Sequence, residues 1–325
     1  MLPLLLLLPL AHAAPRPALD NISFPDPSLT FDPHTRAWYA FATEANTHHV
    51  QAATSPTVHG PWSFLPSVDL LPSPGAWVNS TSPRVWAPDV QYLSETNSFV
   101  LYYSALSAHS RFHCVGAATS PNITGPFTPL SKPLICPIAE GGAIDAAGYV
   151  DEADGSRWIV YKVDGSALGP GGPCGNGEPP GEPTPLRLQR VDVGDGVTLV
   201  GEAVTILDRD PEVDGPLVEA PSLVRLRDGD AVRALGGGFV LFYSSHCFNS
   251  AEYDVKYAVA EGIDGPYERR GQLLGREAGS FGLERPGGAT GVPGGGGLVL
   301  HAECEAGRCM YEADYVVEDG EIRIT

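Results

Sequence analysis

The sequence predicts an all-β fold, a five-bladed β-propeller in which each blade has about four antiparallel strands. Three observations lead to this prediction. A hairpin motif recurs at intervals near 65 residues, Gly 38 and Pro 31 make up about one residue in five of the 325, and the strand-like stretches lack the 3.6-residue periodicity of amphipathic helices. So many helix-breaking residues argue against a helical bundle.

The hairpin motif is present in three segments that align without gaps, each ending in Gly-Pro-aromatic. An aromatic, strand-forming run precedes each of them, at residues 38–41, 99–103 and 239–243. The segments are Val50-Gln-Ala-Ala-Thr-Ser-Pro-Thr-Val-His-Gly-Pro-Trp62, Val115-Gly-Ala-Ala-Thr-Ser-Pro-Asn-Ile-Thr-Gly-Pro-Phe127 and Val255-Lys-Tyr-Ala-Val-Ala-Glu-Gly-Ile-Asp-Gly-Pro-Tyr267.

The spacing of the copies predicts five repeats. The first two copies are 65 residues apart and the next two 140 apart, so a degenerate copy lies between them. Residues 158–161 and 186–189 supply it, separated by a Pro/Gly-rich insertion at 165–185, and residues 298–301 with 310–315 form a fifth. We predict one propeller domain over residues 20–325 and few helices. A β-sandwich with coincidental hairpins is the structural alternative.

Composition narrows the classes of partner. The net charge is −19 and the pI is near 4.7, so the chain offers no basic surface for phosphate backbones or anionic lipid. Hydrophobic residues at 43% are sufficient for a large core. We expect a monomer that binds neither nucleic acid nor a membrane.

The N-terminal segment is typical of a cleaved secretory signal. An apolar run at residues 2–10 ends in the small-x-small site Ala11-His12-Ala13, although no basic residue precedes the run. We predict that residues 1–13 are removed and that the protein is secreted; a wrongly assigned start is the alternative. Three N-glycosylation sequons fit the same route: Asn21-Ile22-Ser23, Asn79-Ser80-Thr81 and Asn122-Ile123-Thr124.

Six cysteines allow fifteen pairings in an oxidising compartment. Cys304 and Cys309 are close enough to connect the two strands of one hairpin, so we predict that pair first. The sequence has no Cys-x-x-Cys spacing, and we predict no zinc site.

One acidic residue lies at the start of each of the first four repeats, within an apolar strand. The spacings between successive acids are 63, 56 and 74 residues, which follow the repeat. We therefore expect the acids to hold nearly the same place in successive blades and to converge on one mouth of the central channel. They are Asp26, Asp89, Asp145 and Glu219.

Clustered carboxylates repel one another and need a use that compensates. Three uses are open from the residues alone: binding a cation, hydrogen bonding to sugar hydroxyls, and acid–base hydrolysis. Hydrolysis of a glycosidic bond needs one carboxylic acid to protonate the leaving oxygen and one carboxylate to activate water or attack carbon. Trp86, in the same strand as Asp89, either stacks on a sugar ring or lies in the core.

The motifs around these acids resemble those of glycoside hydrolase family 43. The resemblance implies a five-bladed propeller enzyme that acts on arabinose- or xylose-containing polysaccharides with inversion of configuration. It extends from Asp26 to the end of the chain. The motifs are Pro25-Asp26-Pro27-Ser28-Leu29, Trp86-Ala87-Pro88-Asp89, Ala143-Ile144-Asp145, Glu219-Ala220-Pro221-Ser222-Leu223 and Arg308-Cys309-Met310-Tyr311.

The same resemblance implies roles for single residues. Asp26 is the general base, Glu219 the general acid, and Asp145 the residue that tunes and orients that acid. Asp89 and Trp86 would contact the sugar at the point of cleavage. His301 matches a strand histidine of the family pattern, and it either lines the channel as a substrate contact or has a structural role. We predict a polysaccharide or oligosaccharide substrate.

One departure from the family pattern concerns the pore. Many relatives carry a Gly-His pair near the axis in the last blade, associated with a central metal ion, usually calcium. This chain reads Gly287-Gly288-Ala289-Thr290 there. We therefore predict no metal ligands and no required cofactor, and the sequence leaves a central calcium ion open.

Two other functions compete with hydrolysis by these acids. A non-catalytic carbohydrate-binding propeller would keep Trp86 and the channel but has no need of three carboxylates at these positions. A retaining fructosidase of the invertase type uses Arg-Asp-Pro and Glu-Cys motifs, and the chain contains Arg209-Asp210-Pro211 and Glu303-Cys304. The order and spacing of those motifs do not fit that mechanism, and we favour the enzyme implied by the resemblance.

Overall fold

The computed structural model describes residues 14–227 and 229–325. The predicted signal segment, residues 1–13, lies outside this part of the chain. Across the described residues, no helix has the length and apolar character needed to cross a membrane.

The described chain forms five antiparallel sheets, and the predicted all-β, five-bladed propeller is confirmed. Strand β1 (Arg16–Pro17) belongs to the last sheet. Blade I consists of β2 (Ser28–Asp32), β3 (Ala37–Ala42), β4 (Gln51–Ser55) and β5 (Ser63–Phe64). Blade II consists of β6 (Trp86–Leu93), β7 (Ser98–Leu106), β8 (His113–Ser120) and β9 (Thr128–Pro129). Blade III consists of β10 (Ala143–Val150), β11 (Arg157–Val163), β12 (Leu186–Val191) and β13 (Leu199–Leu207).

The last two blades follow the same order. Blade IV consists of β14 (Val218–Arg225), β15 (Phe239–Ser245), β16 (Asp254–Ala260) and β17 (Glu268–Leu274). Blade V consists of β18 (Gly287–Gly291), β19 (Gly297–Cys304), β20 (Gly307–Glu318) and β1, and β21 (Glu321–Ile324) also pairs with β20. The predicted scarcity of helices is confirmed. In the described chain, helical structure comprises α1 (Asp230–Leu235) and three single 3₁₀ turns.

The three aligned segments are the third strands of blades I, II and IV with the turns that follow them. In these turns Gly60, Gly125 and Gly265 have φ of 79°, 73° and 86°, a region that glycine enters without steric cost. The degenerate copy predicted between them corresponds to β11 and β12, and the insertion at 165–185 connects those two strands.

Strand β1 closes the ring by pairing antiparallel with β20, with Arg16 opposite Glu312 and Pro17 opposite Tyr311. It begins four residues before the start at residue 20 that the sequence predicted. The two-residue strand has no hydrophobic pattern of its own, and its partner lies almost 300 residues away. Pattern reading therefore could not identify it.

Five clusters of buried apolar side chains fill the spaces between neighbouring blades, one cluster at each interface. Strands such as β7 and β15 are consequently apolar on both faces, since each blade packs against a neighbour on either side. The innermost strands β2, β6, β10, β14 and β18 contact one another in a closed ring. This packing fixes where each of these strands begins, and the candidate site lies there.

Three disulfides link all six cysteines, and the predicted Cys304–Cys309 pair is among them. That bond joins β19 to β20. Cys114 bonds to Cys136, and Cys174 of the insertion bonds to Cys247 after β15. The insertion is thereby attached to blade IV as well as to blade III.

Candidate active site

At or just before its start, each innermost strand has the same backbone feature, which we call the axial bulge. One residue in it has φ between 43° and 56° in every blade. In four of the blades the pairing with the second strand also shifts register at this point. A left-handed backbone costs an L-residue roughly 1–3 kcal/mol, so surrounding contacts must hold it. The five bulge residues are Asp26, Ala87, Asp145, Ala220 and Gly288.

The axial bulge shows how the four predicted acids are placed. Asp26 and Asp145 are bulge residues themselves, whereas Glu219 precedes its bulge residue by one position and Asp89 follows its own by two. The expectation that all four hold nearly the same place is therefore wrong in detail, because they occupy three positions. Offsets of one or two residues are smaller than the variation in repeat length, so spacing alone could not resolve them.

Asp26 is surrounded by groups that favour its ionised form. Arg308 Nη1 lies 3.2 Å from Asp26 Oδ1, and Thr43 Oγ1 donates a hydrogen bond of 2.6 Å to Oδ2. Burial favours the neutral acid, but Arg308 and Thr43 outweigh it and hold the pKa of Asp26 well below its ordinary value of 3.8. The side chain keeps 19% of its surface exposed, so water can reach this carboxylate.

His301 is fully buried beside Asp26. Its Nδ1 accepts the Asp26 backbone N–H at 3.1 Å, and its ring stacks on Tyr253 with 6.0 Å between centroids. Burial and the nearby Arg308 lower the pKa of His301, so the imidazole is neutral. A Cβ added at Gly288 would lie 2.7 Å from the His301 ring, which explains why the last-blade position next to Gly287 carries no side chain. Contact of His301 with substrate stays a prediction.

Asp145 and Glu219 form a second carboxyl pair. Asp145 Oδ2 accepts the backbone N–H of Ala220, the residue after Glu219, at 3.0 Å. Burial first, and then repulsion from Glu219 and Asp26, raise the pKa of Asp145 to about 8, although Lys162 opposes them. The pair therefore retains one proton at neutral pH. The repulsion among the three carboxyls also shows that the fold brings together the acids predicted as base, tuner and acid.

Lys162 was not identified from the sequence. It lies on β11 with 1% of its surface exposed, and its ammonium group is 3.1 Å from both Glu219 Oε2 and Asp164 Oδ1. The sequence nevertheless contained a pattern that points to Lys162. The second strands of three blades read Tyr103-Ser104, Tyr161-Lys162 and Tyr243-Ser244 at equivalent places. A lysine within an apolar strand where two other blades have serine indicates a special use.

Trp86 begins β6 and is half-buried. Its ring stacks on His113 with 3.9 Å between centroids. Burial lowers the pKa of His113 to about 4, so this partner is a neutral imidazole. One face of Trp86 is therefore covered by a protein side chain, and a sugar stacked on Trp86 would have to use the other face.

Asp89 lies deeper in the pore than the other three acids. Its Oδ2 accepts hydrogen bonds from the Gly148 N–H at 2.7 Å and from Gln91 at 2.8 Å. Burial nevertheless raises the pKa of Asp89 to about 7. Asp26, Asp89 and Asp145 line one small cavity, and Asp89 also borders a larger cavity that continues toward the other ends of the innermost strands. Contact of Asp89 with the sugar stays a prediction.

The pore was tested for the central calcium ion that the resemblance leaves open. Calcium takes six to eight oxygen ligands. The described residues contain no group of three His, Cys, Asp or Glu side chains placed to hold a metal ion. Of the three carboxyls that line the small cavity, Asp89 Oδ2 already accepts two hydrogen bonds, Asp26 pairs with Arg308, and Asp145 Oδ2 accepts the Ala220 N–H. Ser28 and Thr290 add hydroxyls there. These residues do not form a calcium site, and we derive no step through a metal.

The motifs shared with invertase-type enzymes have structural partners instead. Arg209 donates to the carbonyl oxygens of Pro180, Glu182 and Gly215, which holds the end of the insertion. Glu303 forms an ion pair of 3.0 Å with Arg285. Neither motif contributes a carboxylate to the cluster at the axial bulge.

The site thus combines a carboxylate that stays ionised with a carboxyl pair that keeps a proton. Asp26 can accept a proton from water, and the Asp145–Glu219 pair can supply one. Acid–base cleavage of a glycosidic bond requires these two capabilities together.

Comparison with known proteins places this arrangement in a family. An arabinan endo-1,5-alpha-L-arabinosidase C from Emericella nidulans is 33% identical over 91 residues, which are 28% of this chain and 27% of that protein. The chain therefore matches less than a third of that relative's length.

Solved structures share the whole fold. A thermostable family-43 glycoside hydrolase superposes with a TM-score of 0.72 at 22% identity, covering 93% of this chain and 92% of the other. The native Bacillus subtilis arabinanase Arb43A superposes with a TM-score of 0.63 at 20% identity, covering 92% and 97%. The sequence model of glycosyl hydrolases family 43 matches residues 21–302, which is most of the chain. The protein is therefore a member of glycosyl hydrolase family 43.

Proposed function

We propose that this protein is a secreted, inverting glycoside hydrolase that cleaves arabinose- or xylose-containing plant polysaccharides. One observation carries the proposal: two partly buried bulge carboxyls, Asp26 and Asp145, have pKa values shifted in opposite directions within one cluster. Two carboxyl environments driven apart in this way are typical of an acid–base site, in which Asp26 is the base and the Asp145–Glu219 pair holds the proton.

In the proposed reaction, Asp26 takes a proton from a water molecule that attacks the anomeric carbon. Glu219 gives the proton held by the Asp145–Glu219 pair to the departing glycosidic oxygen. Asp145 orients the segment that carries Glu219 through its hydrogen bond to the Ala220 N–H. The bond breaks in a single displacement, so the product sugar is released with inverted configuration.

The substrate class rests on the relatives. The Emericella nidulans protein is described as an arabinan endo-1,5-alpha-L-arabinosidase, and the Bacillus subtilis structure as an arabinanase. Secretion is supported by the apolar run at residues 2–10 and by three disulfides, which persist in oxidising compartments. That the protein is a monomer stays a prediction. The choice between arabinofuranosidase, xylosidase and arabinanase activity calls for a substrate array.

The test is hydrolysis of nitrophenyl α-L-arabinofuranoside, nitrophenyl β-D-xyloside and arabinan by the purified protein. Activity that disappears in Glu219→Ala is the expected result. Proton NMR in the first minutes of turnover should show the inverted anomer first, and net retention would reject single displacement. Sugar binding without hydrolysis of any of these substrates would favour the non-catalytic carbohydrate-binding alternative.

A further inference from the structure

Five equivalent positions, four on the second strands and one directly after β3, face the axial bulge of the next blade around the ring. In four of them the side chain accepts the backbone N–H of that blade's bulge residue. Ala87 donates to Thr43 at 2.8 Å, Asp145 to Ser104 at 2.9 Å, Gly288 to Ser244 at 3.0 Å and Asp26 to His301 at 3.1 Å. These hydrogen bonds hold the left-handed residues in place.

Lys162 occupies the fifth position, where it departs from this pattern. An ammonium group has three donors and no acceptor, so Lys162 cannot receive the N–H of Ala220. Asp145 receives it instead, through Oδ2 at 3.0 Å. Lys162 and Asp145 therefore depend on each other, because Asp145 provides the hydrogen-bond acceptor that Lys162 lacks.

A purely structural role does not account for this lysine. Burying an ammonium group is far more costly than burying a hydroxyl, and serine performs the structural task in blades II and IV. The ammonium group has three partners that match its three donors: Asp164 Oδ1 and Glu219 Oε2 at 3.1 Å each, and Ser166 Oγ at 3.4 Å. One of these three is the carboxylate that the proposed reaction uses as its acid.

The other two partners come from the beginning of the insertion. Ser166 Oγ donates to Asp164 Oδ1 at 2.5 Å, and the Asp164 N–H donates to the Gly142 carbonyl at 2.9 Å. A Cβ added at Gly165 would lie 1.9 Å from the Pro183 carbonyl oxygen, so the two ends of the insertion are packed tightly against each other. Lys162 is thus held on one side by a fixed turn and contacts Glu219 on the other.

We propose that Lys162 is a positioning residue for Glu219, which it holds at the axial bulge from an anchor formed by Asp164 and Ser166. The proposal rests on the proposed function. It adds that the start of the segment between β11 and β12 fixes, through Lys162, the acid that donates the proton. A propeller with serine at this position would leave Glu219 without the 3.1 Å ion pair that Lys162 provides.

The charges around Lys162 determine the sign of its effect on pH dependence. Lys162 counteracts the burial and repulsion that raise the pKa of Asp145. Its removal should let the Asp145–Glu219 pair keep its proton to higher pH, which moves the basic limb of the activity profile upward. The titratable and charged groups that face this cluster from the surrounding elements are Asp26, His113, Asp145, Asp164, Glu219, Tyr253, His301 and Arg308.

The test compares Lys162→Ser and Lys162→Met with Lys256→Met in the full-length protein. Lys162→Ser restores the residue of blades II and IV and gives the Ala220 N–H a hydroxyl acceptor, so it is the variant expected to fold. Lys256 is a matched control, since it is also buried and lies 3.1 Å from a buried aspartate, Asp214, outside the site. Lys256→Met should lower the melting temperature and leave the pH profile unchanged.

Both Lys162 variants should lose on the order of 10²-fold in kcat, the scale of a misplaced reacting group. KM should change little, and the basic limb of the pH–activity profile should move to higher pH.

Crystal structures of the wild type and Lys162→Ser give a measurement that does not depend on activity. The Glu219 carboxyl should shift or lose its single position in the variant. An unmoved Glu219, or an active wild type whose Lys162→Ser variant keeps its kcat and basic limb, overturns the proposal. An inactive wild type with a displaced Glu219 in the variant rejects the proposed function and supports the positioning role.

Discussion

Asp26 and Asp145 occupy the same position of the axial bulge in blades I and III, yet their electrostatic environments are opposite. Both are partly buried, and desolvation alone would raise the pKa of either carboxyl. Asp26 faces Arg308 at 3.2 Å, which lowers its pKa. Asp145 has Glu219 as its neighbour, and its pKa rises to about 8. The fold determines the place of each carboxyl, and the neighbouring blade determines its protonation.

This difference shows how a repeated fold produces an asymmetric site. For Asp26, the deciding neighbour comes from the preceding blade in the ring, since blade V supplies Arg308. The Asp145 carboxyl instead faces Glu219 on β14 and Lys162 on β11. Identical backbone positions acquire different chemistry because single residues differ on adjacent strands.

The largest effect is expected from Asp26→Asn, which removes the proposed base. Turnover should fall by on the order of 10²–10⁴-fold, because an amide cannot accept the proton from water. Steady-state kinetics on the best nitrophenyl glycoside measures the loss. Asp151→Asn is the control, since Asp151 is a buried, ion-paired aspartate at the other end of β10. Near-normal turnover of Asp26→Asn would remove Asp26 from the scheme.

Arg308→Met should make the Asp26 environment more like that of Asp145. Loss of the guanidinium raises the pKa of Asp26, so the acid limb of kcat/KM should move to higher pH by about one pH unit or more. The measurement is a pH profile of the wild type and the variant. If the acid limb stays in place, the proposal that Arg308 keeps Asp26 ionised is rejected.

Asp145→Asn should move the basic limb of the pH–activity profile. Without the negative neighbour, the site loses its proton at lower pH, so the basic limb moves downward. The asparagine can still accept the Ala220 N–H, which limits structural damage. This shift is opposite in sign to the one expected for Lys162→Ser, and two shifts in the same direction would contradict the charge argument.

The smallest effect is expected in stability, where the two aspartates should differ in sign. The lowered pKa of Asp26 contributes stability that is present above pH 3.8 and lost as the pH falls. The raised pKa of Asp145 gives a contribution that is full below pH 3.8 and lost as the pH rises through about 8. At pH 8, Asp26→Asn should therefore melt below the wild type and Asp145→Asn above it, by about 1.5 °C for each kcal/mol. Calorimetry at pH 4 and pH 8 measures both, and changes of equal sign would contradict the comparison.

The fold was predictable because its signals are local and repeated. Aromatic runs followed by Gly-Pro hairpins recur in the sequence, and even the interrupted third blade kept its strands at 158–161 and 186–189. Strand β1 could not be found in this way, because Arg16 and Pro17 form a strand only through their pairing with β20. Their assignment depends on closure of the ring, a property of the whole chain.

The site was predictable in its acids but less so in the groups that give the acids their properties. Asp26, Asp145 and Glu219 could be identified because proline-containing and apolar motifs surround them. Lys162 was missed because its partners lie on different strands, and the offset of Glu219 from the bulge residue depends on backbone geometry that spacing does not encode. Aligning the second strands of the blades would have shown the lysine.

The most direct test of the account is carbon NMR titration of the aspartate carboxyls in the wild-type protein. Asp26→Asn and Asp145→Asn assign the two signals. The account predicts that the Asp26 carboxyl stays ionised down to the lowest pH at which the protein is folded, while the Asp145 carboxyl titrates near pH 8. Two carboxyls that both titrate near the ordinary value of 3.8, or an Asp145 that ionises before Asp26, would contradict it.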